Sequence, residues 1–214
     1  MMLTARDNPT GTQFGAYCGT YDHFNGLLYG GRLPRCMLNF SRKSRRVLGF
    51  FAPERWEHRG ERTHEISLNP DLLYRPIIDV MSTLVHEMAH LWQQEFGAPS
   101  RGGYHNEEWA QHMESIGLMP SHTGKPGGRR TGQQMTHYVI EGGAFQRAFE
   151  RMPDECLLPW QSGFISVYSN ASRGKVTYLC PGCGLRVWGK PHISIACGCC
   201  QLFLLPYCNA ATGA

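Results

Sequence analysis

Apolar residues recur at three-and-four spacing from residue 12 to about 29, where Phe14, Tyr17, Tyr21, Phe24 and Leu28 share one stripe and Gly30-Gly31 follow as a stop. A packing helix is expected there, with its aromatic stripe in the core. From Leu33 the period shortens toward two. Arg35 to Phe40, Val47 to Phe51 and Thr63 to Leu68 read as three short strands in a meander, joined by polar connectors. The last strand leads into the next helical segment and is expected as an edge along which an extended peptide could pair. Asn69-Pro70-Asp71 reads as a cap followed by proline at a first helical position, and Arg75-Pro76 as a break. Beyond it, Ile77, Met81, Leu84, Met88 and Leu91 form the apolar face of a long helix that runs to about Phe96 and stops at Gly97. A second helix, Asn106 to Ile116, opens on Glu107 and Glu108 and ends at Gly117. Residues 119 to 135 are rich in Gly, Pro and polar side chains and read as a mobile loop or linker. Residues 136 to 152 read as a strand followed by a short helix.

Composition sharpens this outline in three ways. A chain of 214 residues, 42% of them hydrophobic, suits one medium domain, or one domain and a small module, with ample core. The net charge of +4 permits contact with nucleic acid without demanding it. Arg42, Lys43, Arg45 and Arg46 crowd a predicted hairpin tip, and Lys125, Arg129 and Arg130 a second connector. Each reads as a solvated surface or as a place for DNA phosphates to touch. The start of the chain has no apolar run flanked by basic residues, and no window approaches 18 uninterrupted apolar residues. A soluble, cytoplasmic protein with no membrane partner is expected. Nine cysteines without an export signal argue for zinc thiolates in a reducing compartment, since five lie between Cys180 and Cys200 in pairs. Cys18, Cys36, Cys156 and Cys208 are scattered and read as small buried hydrophobes.

Candidate chemistry sits on the long helix. His86-Glu87-x-x-His90 places two imidazoles one turn apart, roughly 40° around the axis, so that both reach one ion. They lie away from the apolar stripe, where a core histidine would sit. With zinc between them, a water can be acidified toward a pKa of about 7 while Glu87 takes its proton. That is the machinery of a metal-dependent hydrolase. A third ligand is required, and no glycine stands three after His90, so the short extended motif ending in a third histidine is not present. His105, Glu107, Glu108 and His112 are the candidates, and spacing alone does not choose among them. Near the end, Cys180-x-x-Cys183 and Cys197-x-x-Cys200, with thirteen residues between, are spaced to close a tetrahedral structural zinc site. Cys200 is preferred to Cys199 because it repeats the first pair's spacing, and Leu185 to Ile195 are expected to supply strands of a zinc ribbon. Four sulfurs leave no position for water, so this second site is structural.

Several stretches, in order, resemble the SprT-like metallopeptidase family: Phe24-Asn25-Gly26-Leu27-Leu28-Tyr29-Gly30-Gly31-Arg32-Leu33-Pro34, Leu48-Gly49-Phe50-Phe51, Ile66-Ser67-Leu68-Asn69, Thr83 to His90, and Tyr104-His105-Asn106-Glu107-Glu108-Trp109. The resemblance covers residues 12–118 and implies an α+β fold with a zincin-like core. That core comprises a packing helix, a three-stranded meander, the His-Glu-x-x-His helix and a second ligand helix. A connector over 119–160 and a small zinc ribbon over 161–207 complete the expected layout. It further implies His105 as third zinc ligand, leaving Glu107 and Glu108 as first-turn acids and His112 as a packing or supporting residue. The function so implied is a zinc endopeptidase with one catalytic and one structural Zn²⁺, acting on protein or peptide substrates that could lie on or near DNA. The competing expectation is a non-proteolytic zinc protein recruited to nucleic acid or transcription machinery.

Overall fold

The computed structural model describes residues 8–42, 47–161 and 176–207. The chain divides into two compact units, Met1–Ile165 and Ser166–Ala214.

The first unit opens with α1 (Pro9–Tyr29), which begins where Asn8 accepts the Gly11 N–H at 2.9 Å and ends at Gly30 with a left-handed φ of 63°. Its aromatic stripe is core: Tyr17, Tyr21 and Phe24 are buried. The phenols stay satisfied by reaching carbonyls on other segments, Tyr21 to Pro34 at 2.6 Å and Tyr29 to Val85 at 3.2 Å.

Strands β1 (Met37–Phe40), β2 (Gly49–His58) and β3 (Glu61–Leu68) form one sheet, but not a meander. The order is β1-β3-β2, with β1 parallel to β3 and β2 antiparallel to it. The reason lies in the side chains. Glu65 to Leu68 are all buried and suit a central strand, whereas β2 past Pro53 carries exposed Glu54, Arg55, Glu57 and His58. A tight turn with positive φ at both Arg59 and Gly60 joins β2 to β3. The expectation that β3 is the open edge is therefore corrected, because β3 is central and β1 and β2 are the edges. Gly49 lets the β2 edge lie against the next helix, since a Cβ there would stand 3.2 Å from Thr83 Cγ2 and 3.3 Å from Glu87 Cγ.

Asn69 caps a 3-10 turn over Pro70–Leu72, and Pro76 precedes α2 (Ile77–Phe96). This helix is buried on nearly all sides: Met81, Leu84, Met88 and Leu91 join the main core, and His86 and Glu87 are buried as well. Then come α3 (Glu107–Ser115), capped by Asn106, β4 (Leu118–Ser121), β5 (Thr136–Val139) and α4 (Ala144–Glu150). The stretch read as a mobile linker is largely a structured β4–β5 connection. Ser121 Oγ donates to the Lys125 carbonyl at 2.6 Å, His122 Nδ1 accepts the Arg129 N–H at 2.8 Å, and Arg130 pairs with Glu114 at 2.7 Å. Glycines made it look like a linker, yet several of them serve turns. No helix among the described residues is long and apolar enough to cross a membrane.

Gly117 is the sharpest of these turns. Its φ is +91°, and a Cβ would lie 2.6 Å from the Phe145 nitrogen and 2.7 Å from that of Ala144. Gly117→Ala is expected to lower the unfolding free energy by about 1–3 kcal/mol, read as a reduced urea midpoint at unchanged slope.

In the second unit, β6 (Val176–Leu179), β7 (Arg186–Gly189) and β8 (Leu205–Tyr207) form an antiparallel sheet in the order β7-β6-β8. Tyr178, Cys180, Cys197 and Leu204 make its small core. Only β7 falls between the two cysteine pairs; β6 and β8 flank them. Leu185 to Ile195, expected to supply strands, supplies β7; the first sulfur pair lies in the turn after β6, and the second lies inside the Ala196–Phe203 bridge.

Candidate metal centre

Helix α2 sets the first two histidines. The His86 and His90 ring centroids are 5.2 Å apart, and the His105 ring comes within 5.4 Å of the first and 4.7 Å of the second. One ligand nitrogen from each of the three lies within 4.8 Å of the others. The closest approach is between Nε2 of His90 and Nε2 of His105, at 3.0 Å. At that distance two neutral imidazoles either share one proton or, with both lone pairs free, converge on a cation.

His105 is placed by the end of α2 and the start of α3. Gln93 Nε2 donates to Asn106 Oδ1 and to Glu108 Oε2, both at 2.7 Å, while Glu108 also accepts the Ala98 N–H at 2.8 Å. These bonds, the Gln93 bond first, hold the Glu108 carboxyl below the usual carboxylate range. Glu108 thus knots the 97–106 loop, a role beyond that of a first-turn acid. His105 Nδ1 lies 3.1 Å from the Gly132 carbonyl, an acceptor only, so Nδ1 carries the proton and the Nε2 lone pair faces His90.

A fourth aromatic holds the cluster together. Trp109, fully buried on α3, stacks on His90 at 5.3 Å and 19° and meets His86 and His105 edge-on at 4.9 and 4.4 Å. Sequence reasoning did not assign Trp109 this role, although its place one turn beyond His105 was the signal. His112 packs flat on Trp92 with centroids 3.6 Å apart.

Burial keeps the cluster neutral. His90 is pushed down to about 3 by burial and then by His105, and His86 falls well below the ordinary range through burial and the three surrounding histidines. His105 is also lowered, chiefly by burial. Neutral, converging imidazoles are the donor set zinc takes, so the residues fit such an ion. Burial acts oppositely on Glu87, raising its carboxyl to about 8, while a backbone N–H from Phe51 on β2 pulls it down. A dication beside it would favour the carboxylate.

These residues face a cleft of about 880 Å³ between residues 47–53, which lead into and begin the edge strand β2, the loop around Tyr104, and the segment Gln133 to His137. His137, on β5, places its Nδ1 3.1 Å from Nδ1 of His86, and burial lowers it to about 4. His64 pins the β2 bulge: its Nδ1 accepts the Glu54 N–H at 2.9 Å, and its Nε2 meets Glu95 at 2.9 Å.

The second cluster is sulfur. Cys180, Cys183, Cys197 and Cys200 bring their Sγ atoms within 4.8 Å of one another, and Cys200, not the exposed Cys199, is the fourth member. The donor set is compatible with zinc. Of the predicted phosphate-contact residues, Arg42 is paired with Asp71 at 2.9 Å, and Lys43, Arg45 and Arg46 lie outside the described residues.

Compared with known proteins, residues 19–136 match the model of the SprT-like family, more than half of the 214 residues. The match runs from the middle of α1 to the first residue of β5 and includes all three clustered histidines and Glu87. No curated protein matches the chain.

Proposed function

From the premise that this chain belongs to the SprT-like family, we propose that it is a zinc-dependent endopeptidase with a zincin-type core and a zinc ribbon. The observation that carries this reading is the convergence of His86, His90 and His105 within 4.8 Å beside the buried Glu87. The three histidines would hold one zinc ion, and the four cysteines a second, structural one. Bound at the histidines, zinc supplies Lewis acidity, acidifying water and polarising a carbonyl. The chain's own residues do the rest. Glu87 takes the proton of the attacking water and delivers it to the leaving amide nitrogen. The Phe51 N–H orients that carboxylate, and Trp109 fixes the three rings. The open edge of β2 offers its backbone to an extended peptide, which places the scissile bond over Glu87. This assignment replaces β3, whose two edges are occupied by β1 and β2.

A second reading is favoured by charge. From Cys156 to Ala214 there is no acidic residue, against Arg173, Lys175, Arg186 and Lys190. Such a stretch suits association with nucleic acid, which would bring a peptidase to substrates on DNA or, without proteolysis, recruit a binding protein.

The peptidase reading is tested with an unstructured polypeptide such as denatured casein. Cleavage at internal bonds is expected, lost on chelation and restored by stoichiometric zinc. Turnover unaffected by chelation, or no cleavage by protein with zinc at its histidines, contradicts it.

A further inference from the structure

Resting on the reading that the three histidines hold zinc, the geometry points to His137 as the positioning residue of His86. Their Nδ1 atoms are 3.1 Å apart, a hydrogen-bond distance that admits one proton between two nitrogens. Two arrangements are open. If His137 donates, His86 keeps its own hydrogen on Nε2 and cannot present that nitrogen's lone pair. If His86 donates, its Nδ1 carries the hydrogen, and the Nε2 lone pair is free for a metal shared with His90 and His105. Only the second is compatible with zinc taken through Nε2, so His137 accepts from His86 and carries its own hydrogen on Nε2.

The same device appears beside it. His105 Nδ1 sits 3.1 Å from the Gly132 carbonyl, which fixes that ring with Nε2 turned to the cluster. Gly132 and His137 lie five residues apart on one segment, and both are anchored by backbone pairing: Gly132 with His105, and His137 opposite Pro120 in the β4–β5 ladder. One strand entry therefore supplies the outer hydrogen-bond partners of two of the three rings. A rigid partner of this kind orients the imidazole before the metal arrives and raises its basicity, and its loss typically weakens metal binding about 10–100-fold. His137 also lines the cleft, so replacing it leaves space rather than a clash.

The test is metal binding by the full chain carrying His137→Leu or His137→Asn. Asparagine places an amide oxygen where histidine has Nδ1 and can still accept; leucine cannot. The zinc dissociation constant at the histidine cluster is read by chelator competition. Cobalt substitution tells the clusters apart, since only the cysteines give thiolate charge-transfer absorption. Expected are a loss of about 10–100-fold for leucine, near-complete rescue by asparagine, and unchanged cobalt ligand-field bands in both. Should the leucine protein fail to fold, His137→Gln, whose amide oxygen stands one bond farther out, is expected to bind more weakly than the asparagine variant. Wild-type affinity in the leucine variant, or in the glutamine variant where leucine fails to fold, overturns the assignment. So does a cobalt spectrum that loses a ligand in both the leucine and asparagine variants, since His137 would then touch the metal itself. If His86→Ala leaves the wild-type zinc content unchanged, the metal reading falls together with this assignment. Zinc held by the wild type and equally well by the leucine variant removes the assignment alone.

Discussion

Replacing Glu87 with glutamine is expected to abolish peptide hydrolysis while leaving zinc content and fold in place. Glutamine keeps the size of the side chain, so the close contact beneath Gly49, where Glu87 Cγ would lie 3.3 Å from an added Cβ, is undisturbed. Its amide oxygen can still accept the Phe51 N–H. What is lost is the capacity to take a proton from water and return it to the leaving nitrogen, a contribution of about 10²–10⁴ in rate for a positioned acid–base group. Removing a buried carboxyl that burial has already raised to about 8 does not leave an unpaired charge behind, so the metal-free variant should melt within a few degrees of the wild type. Measured kcat should fall with little change in KM. A variant that cleaves at the wild-type rate would remove Glu87 from the chemistry, whereas a zinc-loaded wild type that cleaves nothing would leave the binding-protein reading standing.

The second large effect concerns the sulfur cluster. Among the described residues of the second unit, Tyr178, Cys180, Cys197 and Leu204 are the buried core, with Val176, Val187 and Ile195 packed against them, too little apolar surface to offset the entropy of ordering the segment. Trp188 and Phe203, the large aromatics that could have enlarged that core, are 69% and 67% exposed. On the proposed reading, metal ligation supplies the folding free energy, to which structural zinc contributes on the order of 10–16 kcal/mol in isolated modules. The double substitution Cys180→Ser and Cys183→Ser should unfold this unit at any temperature. Amide exchange over 176–207 would become unprotected while α2 retains its protection. Persistence of protection in β6 and β7 would show that the sheet stands without metal.

Much of the helical framework was legible because its signals are local. Gly30, Pro76, Gly97 and Asn106 each mark a helix boundary through backbone chemistry that needs no partner, whereas α1 starts at Pro9, three residues before the expected residue 12. The pairing of strands was not legible. Whether β2 or β3 occupies the middle depends on which accepts burial on both faces, and the alternation in Phe50 to Ala52 resembles that in Glu65 to Ser67 until the exposed tail of β2 is seen in place. The candidate site divides the same way. His86, Glu87 and His90 declare themselves by helical spacing, and the four cysteines by their repeated interval. His105 was named only through a family resemblance, since His112 and two glutamates competed at similar distance. Trp109, Gly132 and the Phe51 N–H escaped because their roles arise from contacts between separate elements. The same holds for Glu108, where the dipole of α3 offered a sufficient local explanation and the bonds to Gln93 and Ala98 gave the fuller one.

The central claim, that two separate clusters each hold a zinc ion, is tested most directly by metal content per chain after dialysis against metal-free buffer. About two zinc ions are expected for the wild type, and about one for either the cysteine pair variant or a variant carrying His86→Ala and His90→Ala. A wild type holding one ion, unchanged when His86 and His90 are both replaced, would contradict the account.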